Sequence, residues 1–174
     1  MNYNLIKTGS FEESQGEFQI RVLPEYRSAL QGIEDFAYLQ IVWWFDRCDT
    51  KESRTKLCET KPYKKGPDVL GAFATRTPER PNPIAISTVY VLSVDMEKGI
   101  IRIPYTDALP GTPILDIKPY MPSLDRVENP MMPAWCSNWP VNVETSGDFD
   151  WEGEFNFKNI IKKNIEIYRN DRLQ

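Results

Sequence analysis

The chain has 174 residues, of which 41% are hydrophobic and 26% charged, with a formal net charge of −4. That composition fits one globular domain, with a second only as a short appendage, and excludes global disorder. There is no histidine, which excludes Ser-His-Asp and Cys-His nucleophiles, HExxH zinc sites and histidine-ligated haem. The three cysteines, Cys48, Cys58 and Cys136, form no CxxC and cannot all pair, as expected in a reducing compartment. The opening MNYNLIKTGS lacks a basic-then-apolar leader, and the run Ile41 to Phe45 is too short to cross a bilayer. A cytoplasmic protein with no membrane partner is the expectation.

Fourteen prolines and nine glycines punctuate the chain and favour short strands over long helices. Phe18, Ile20 and Val22 alternate with polar residues, as in a half-buried strand. Pro24 to Gly32 reads as a short helix, with Pro in its first turn and Gly at its end. Ala37 to Phe45 reads as a central strand and Val69 to Thr75 as another. Ile84 to Val94 alternates throughout, with Ile84, Ile86, Thr88, Tyr90, Leu92 and Val94 on one face. Its other face carries Ala85, Ser87, Val89, Val91 and Ser93, small enough for a second layer to pack closely. Asp95 to Gly99 is a hairpin turn into Ile100 to Tyr105, and Ile114 to Lys118 is a further strand. Six prolines between 113 and 140 suggest an extended strap pinned by Trp135 and Trp139. Phe157 to Tyr168 has apolar residues at helical spacing, and its Ile165 and Ile167 also suit a strand. The expected architecture is mostly β, a barrel or sandwich with one short helix and a C-terminal strap. Residues 1–127 form the expected barrel domain and 128–174 an extension packed on it.

No GxGxxG stands among the glycines, and Ala72-Phe73 replaces the Lys-Ser/Thr of a phosphate loop after Gly66 and Gly71. The densest chemistry lies in Gly71 to Ser87, GAFATRTPERPNPIAIS. Prolines stiffen that loop, so ligand binding costs little ordering entropy. Arg76 and Arg80 can each clamp a carboxylate or phosphate, and Asn82 offers both a donor and an acceptor. A rigid turn with surface ion pairs is the alternative. In Asp107 to Tyr120, DALPGTPILDIKPY, Asp116 and Lys118 point to one side of a strand around a Gly-Thr-Pro turn. They supply a carboxylate and an ammonium, or an ordinary cross-strand pair. Trp43-Trp44-Phe45-Asp46-Arg47 ends a buried strand in an acid-base pair. Lys51 to Lys65 holds six basic residues against Glu52 and Glu59, and Lys158 to Arg172 five against Glu166 and Asp171. These are solvated faces or a focused RNA contact; the acidic whole argues against coating DNA or RNA non-specifically.

GAFATRTPERPNPIAIS followed by DALPGTPILDIKPY resembles the TrmO (TsaA-like) family of S-adenosylmethionine-dependent methyltransferases. So does PEYRSALQGIEDF leading into WWF, and the resemblance spans roughly residues 5–125. It implies a β-barrel methyltransferase, usually a homodimer, that methylates N6 of threonylcarbamoyladenosine beside the anticodon of tRNA. By position, the cofactor-contacting places are Asp46, Arg47, Arg76, Ala85, Ile86, and Ala108, Leu109, Pro110 and Gly111. Asn82, Lys118 and Tyr120 match substrate-side positions. Asp46 or Asp116 would take the proton, with Arg80 assisting; Arg76 would hold the methionine carboxylate. No metal is implied. The family commonly has His where Asp46 stands, Asp where Pro110 stands and Gly where Ala85 stands, and its Pro-Arg-Gln segment is here FEESQGEF. Methylation of a small molecule and non-catalytic cofactor binding are the alternatives.

Overall fold

The computed structural model describes residues 4–156. Nine strands follow in chain order: β1 (Gly9–Ser14), β2 (Glu17–Val22), β3 (Tyr38–Trp44), β4 (Cys58–Thr60), β5 (Val69–Gly71), β6 (Ile84–Tyr90), β7 (Ser93–Asp95), β8 (Ile100–Ile103) and β9 (Pro113–Pro119). Among the described residues, three single-turn helices, α1 (Lys51–Thr55), α2 (Pro122–Asp125) and α3 (Trp151–Glu154), accompany short 3-10 turns. The protein is mostly β, as its alternating apolar pattern requires. It divides into two compact units, residues 1–55 with 77–128, and residues 56–76 with 129–174.

The first unit is a seven-stranded antiparallel sheet in the order β6-β3-β9-β1-β2-β8-β7. β1 and β2 form a hairpin whose turn, Gln15-Gly16, has both residues at positive φ (55° and 80°), the backbone twist that a two-residue hairpin favours. β3 lies between β6 and β9, so each of its two backbone edges is occupied. Its side chains alternate: Leu39, Ile41 and Trp43 are buried, while Tyr38, Gln40, Val42 and Trp44 are partly exposed. With Phe11, Ile20, Val89, Ile101, Ile103 and Ile114 the buried set forms one apolar core. Each such side chain contributes about 1.5–3 kcal/mol by leaving water.

Several expected elements change on folding. Pro24–Leu30 winds as a 3-10 helix, begun by its proline and followed by Gly32 at φ 83°. The expected strand from Val69 to Thr75 stops at Gly71. The chain coils there because Thr75 turns its amide and its hydroxyl back onto the carbonyl of Ala72. The single strand expected from Ile84 to Val94 becomes β6 and β7, separated by Val91 and Leu92. Its small-residue face is the inner one: Ala85, Val89 and Val91 pack on the core, and the hydroxyl of Ser87 accepts the indole N–H of Trp43 at 2.9 Å. Ile86 and Tyr90 on the other face are 51% and 45% exposed. Among the described residues the strand pairing runs from β6 at one end to β7 at the other.

In the second unit β4 and β5 form an antiparallel pair. Tyr63 packs against Trp135, Trp139 and Phe155, and Trp139 against Trp151. Glu154 is buried among these rings, yet its carboxylate accepts three donors: Lys65 Nζ at 2.5 Å, Asn138 Nδ2 at 3.1 Å and Trp139 Nε1 at 3.3 Å. Those donors, Lys65 first and Asn138 next, hold its pKa below the ordinary carboxylate value. Trp135 and Trp139, expected to pin a strap, thus close it around residues 56–76. The helix expected over Phe157 to Tyr168 lies outside the described residues.

Candidate functional site

Within the first unit, three chain segments that carry the sequence motifs are joined by hydrogen bonds. The first is the end of β3. After Trp44 the chain turns through a 3-10 turn, Asp46–Cys48, which leaves Asp46 and Arg47 exposed at the strand end. Beneath them the ring of Trp43, 4% exposed, lies edge-on to Phe11 at 5.9 Å and to Phe45 at 4.5 Å. This aromatic floor is why an exposed charged pair has a fixed base.

The second segment is the proline loop, Arg80 to Pro83. Its exit is fixed by the Phe45 amide, which donates to the Pro83 carbonyl at 2.8 Å, and by the Ile84 amide, which donates to Asn82 at 2.7 Å. Pro83 is fully buried while Asn82 is exposed. Prolines at 81 and 83 remove two backbone donors, so the loop cannot join a strand ladder and stands clear of the sheet.

The third segment is the bend before β9. Leu109, Pro110, Gly111 and Thr112 form a type II turn: the Thr112 amide donates to the Leu109 carbonyl at 3.1 Å, and Gly111 has φ 89°. The turn is seated on β1, since Gly111 donates to the Phe11 carbonyl at 2.8 Å and Phe11 to the Thr112 carbonyl at 3.1 Å. Ala108 is buried and its amide donates to the Thr106 hydroxyl at 3.1 Å. Arg47 Nη2 reaches the Pro110 carbonyl at 3.5 Å, so the end of β3 and this turn meet. A side chain built at Gly111 would have nothing within 4 Å, so the backbone there is open to approach.

The remaining motif residues are placed by sheet register. Ala85 pairs with Trp43 and Ile86 with Val42, one strand from the Asp46–Arg47 end. Asp116 pairs with Val42, two residues before β3 ends, whereas Asp46 lies past the end of that strand in the 3-10 turn. The two carboxylates considered as bases therefore stand on different elements. Asp116 is engaged: it accepts Lys118 Nζ at 2.7 Å, and its Oδ1 accepts the Ile117 amide at 2.9 Å. That hydrogen bond to Asp116 raises the Lys118 pKa. Tyr120 packs edge-on against Tyr38 at 6.4 Å, at the far end of β3 from Asp46. Arg76 is exposed and belongs to the second unit.

Sequence reading missed the group that ties the first two segments together. Asp49 accepts Arg54 Nε at 2.5 Å and Nη2 at 3.0 Å, and also the Trp44 indole N–H at 3.0 Å. Arg54 lies over the Trp44 ring at 5.4 Å and donates from Nη1 to the Pro81 carbonyl at 3.4 Å. The Arg54 hydrogen bond depresses the Asp49 pKa, and that same bond raises the Arg54 pKa. Asp49 and Arg54 are five apart, not a helical pairing distance, so they read as part of a charge run. The lysines of that run are also committed: Lys61 to the Gly66 carbonyl at 2.8 Å and to Asp68, Lys64 to the Glu152 carbonyl at 2.6 Å, and Lys65 to Glu154. Among the described residues, no cluster of His, Cys, Asp or Glu could hold a metal ion, and no helix is long and apolar enough to cross a membrane.

The chain has known relatives. A probable S-adenosyl-L-methionine-binding protein of Pyrococcus abyssi is 41% identical over 149 residues, 86% of this chain and 76% of that protein. The tRNA (adenine(37)-N6)-methyltransferase of Escherichia coli is 34% identical over 116 residues, 66% of this chain but 48% of the enzyme. The human protein of the same name is 32% identical over 125 residues, 72% of this chain and 27% of that protein. This chain thus spans about half of the bacterial methyltransferase and about a quarter of the human one. Among solved structures, TrmO matches with a TM-score of 0.60 and 25% identity over 76% of this chain and 64% of that one. TrmO from Pseudomonas aeruginosa matches at 0.57 and 25%, over 75% and 62%. The family model for the tRNA-methyltransferase O N-terminal domain matches residues 7–126. A match over that span, which includes the β3 end, the proline loop and the Gly-Thr-Pro turn, places the chain in the tRNA-methyltransferase O family.

Proposed function

We propose that the protein transfers a methyl group from S-adenosylmethionine to N6 of adenosine, carried as threonylcarbamoyladenosine beside the anticodon of a tRNA. The observation that carries this reading is the joining of the β3 end to the Gly-Thr-Pro turn through Arg47 and Pro110, in a family whose named members include tRNA adenine N6-methyltransferases. The residues present suit the cofactor. The open type II turn exposes backbone groups for an adenine ring, and Asp46 offers a carboxylate for ribose hydroxyls or a sulfonium. Arg47 is the guanidinium nearest that turn for a carboxylate, while Arg76 is the one favoured by the sequence pattern; substitution separates the two. Ala85 and Ile86 line the adjacent edge of the sheet.

S-adenosylmethionine supplies an electrophilic methyl group on a sulfonium. The chain's own work is to fix orientation and move one proton. The carbamoylated N6 must lose its proton as the new N–C bond forms, and Asp46, free of the Lys118 pairing that occupies Asp116, is the acceptor in this reading. Arg80 and Asn82, on the stiff proline loop, would meet the modified base, which must be splayed from its stacked loop to be reached.

The same reading includes a barrel closed through the continuous run from β6 to β7, a homodimer and a cytoplasmic location. The exposed Ile86 and Tyr90 on the β6 edge support association with a second copy. Calorimetric titration with S-adenosylmethionine tests the cofactor, and mass spectrometry of tRNA nucleosides after incubation tests the acceptor. A second reading, methylation of a small molecule, is favoured by one observation: Lys61, Lys64 and Lys65, which would have met RNA phosphates, are bonded to the chain itself. Cofactor turnover with no methylated tRNA nucleoside would select it. Binding without any turnover would leave a cofactor-binding module.

A further inference from the structure

The Asp49–Arg54 pair has more connections than a surface ion pair needs. Exposed pairs of this kind contribute about 0–1 kcal/mol, because water screens them and two long side chains must be ordered. Here one carboxylate receives three donors from two sources, two N–H groups along one edge of a guanidinium and an indole N–H. The same guanidinium lies over that indole and sends a further donor, 3.4 Å long, to the carbonyl of Pro81. The connections close a loop: the end of β3 through Trp44, α1 through Arg54, and the proline loop through Pro81. The Asp49 amide also donates to the Asp46 carbonyl at 3.3 Å, so the carboxylate hub is one short turn from Asp46. Pro81 stands between Arg80 and Asn82, where prolines deprive the loop of ladder hydrogen bonds.

We infer that Asp49 and Arg54 are positioning residues that hold the Asp46–Arg47 strand end and the Arg80–Pro83 loop at a fixed spacing for a bound methyl donor. The inference rests on the cofactor reading above and adds to it two residues that touch no ligand. Without Arg54 the carboxylate keeps Trp44 but loses the loop, and the loop must be ordered again each time ligand binds. A lysine at 54 restores the charge and one hydrogen bond but not the planar fork that reaches Asp49 and Pro81 together.

The test uses the full chain. S-adenosylmethionine is titrated by calorimetry into the wild type, Arg54→Ala, Arg54→Lys, Asp49→Asn and the double variant Asp49→Asn/Arg54→Ala, with melting temperatures recorded beside each. Expected is about tenfold weaker binding for Arg54→Ala, an intermediate loss for Arg54→Lys, and a double variant no weaker than Arg54→Ala. Wild-type affinity in Arg54→Ala and Asp49→Asn, or losses that add in the double variant, overturns the inference. So does a fall in melting temperature with affinity unchanged. Amide exchange at Phe45 and Ile84, which donate to Pro83 and Asn82, gives a readout that needs no ligand. Faster exchange in Arg54→Lys supports the clamp even if Arg54→Ala fails to fold, and unchanged exchange refutes it. A wild type that binds no S-adenosylmethionine sinks the cofactor reading, while the exchange measurement still decides the clamp.

Discussion

Replacing Gly111 by alanine tests how the Gly-Thr-Pro turn is built. A type II turn needs positive φ at its third residue, and Gly111 sits at 89°. A methyl group there meets no neighbour within 4 Å, so crowding adds nothing and the cost is conformational. Keeping the turn costs an alanine about 1–2 kcal/mol for the left-handed backbone. The alternative is to rotate the Pro110–Gly111 peptide into a type I turn. That one peptide carries two of the three outside bonds of the turn: its N–H donates to Phe11 at 2.8 Å and its carbonyl accepts from Arg47 at 3.5 Å. Rotation therefore gives up the Phe11 bond, about 1 kcal/mol net, and a weaker exposed one. Either route predicts a loss of about 1–2 kcal/mol, or roughly 2–8 °C in melting temperature for a chain of this size. Asparagine, which tolerates the left-handed region, should lose less. Thermal unfolding of Gly111→Ala and Gly111→Asn measures this, and calorimetry with S-adenosylmethionine should show weaker binding in the alanine variant. A Gly111→Ala protein as stable as the wild type, or an asparagine variant less stable than the alanine one, would refute the turn argument.

Trp43→Ala should destabilise the first unit by about 3–5 kcal/mol, since it removes the ring on which Phe11 and Phe45 pack and orphans the Ser87 hydroxyl; chemical denaturation reads this. Arg47→Ala should leave the melting temperature within a degree or two and abolish measurable S-adenosylmethionine binding, whereas an unaltered titration would remove Arg47 from the site. Because its folded pKa is depressed, the Glu154 carboxylate contributes stability that is present above its unfolded value, about 4.3, and lost as pH falls through the lower folded value. Glu154→Gln should accordingly flatten the acid limb of stability, followed by tryptophan fluorescence. Charge reversal at Lys64 and Lys65 should lower the unfolding midpoint even without RNA, because both ammonium groups hold residues 152–154.

The sequence was most legible where period and punctuation act locally. The β-rich run of Ala37 to Phe45 marks a strand, and the alternation from Ile84 to Tyr90 marks another, whose small-residue face packs on the core. The Pro-Gly pair at 110–111 marks the turn. β1 gave no such sign, because Phe11 is its one large apolar residue; it is a strand through its pairing with β2 and β9. Residues 69–75 carry strand-forming residues, but their pairing with 57–60 ends at the bond from the Ala72 amide to the Leu57 carbonyl, and Thr75 then turns back onto Ala72. The candidate site was legible as segments and not as geometry. Asp46 and Asp116 look equivalent in the sequence, and only the register, with Asp116 opposite Val42, separates them. Asp49 and Arg54 became visible only once the chain had turned at Asp46–Cys48.

The ion pair between Lys65 and Glu154 joins positions 89 residues apart in the chain. A ribosome adding about 5–20 residues per second needs about 4–18 seconds to make that stretch. Throughout that interval the nascent segment from 56 to 76 has neither the carboxylate that will bind its lysine nor the indoles that will cover Tyr63. The last strand of the seven-stranded sheet ends at Pro119, before that partner segment is made. A protein translated only as far as residue 128 would therefore expose a lysine-bearing, aromatic loop to chaperones and proteases, and its cover would arrive with residues 129–156.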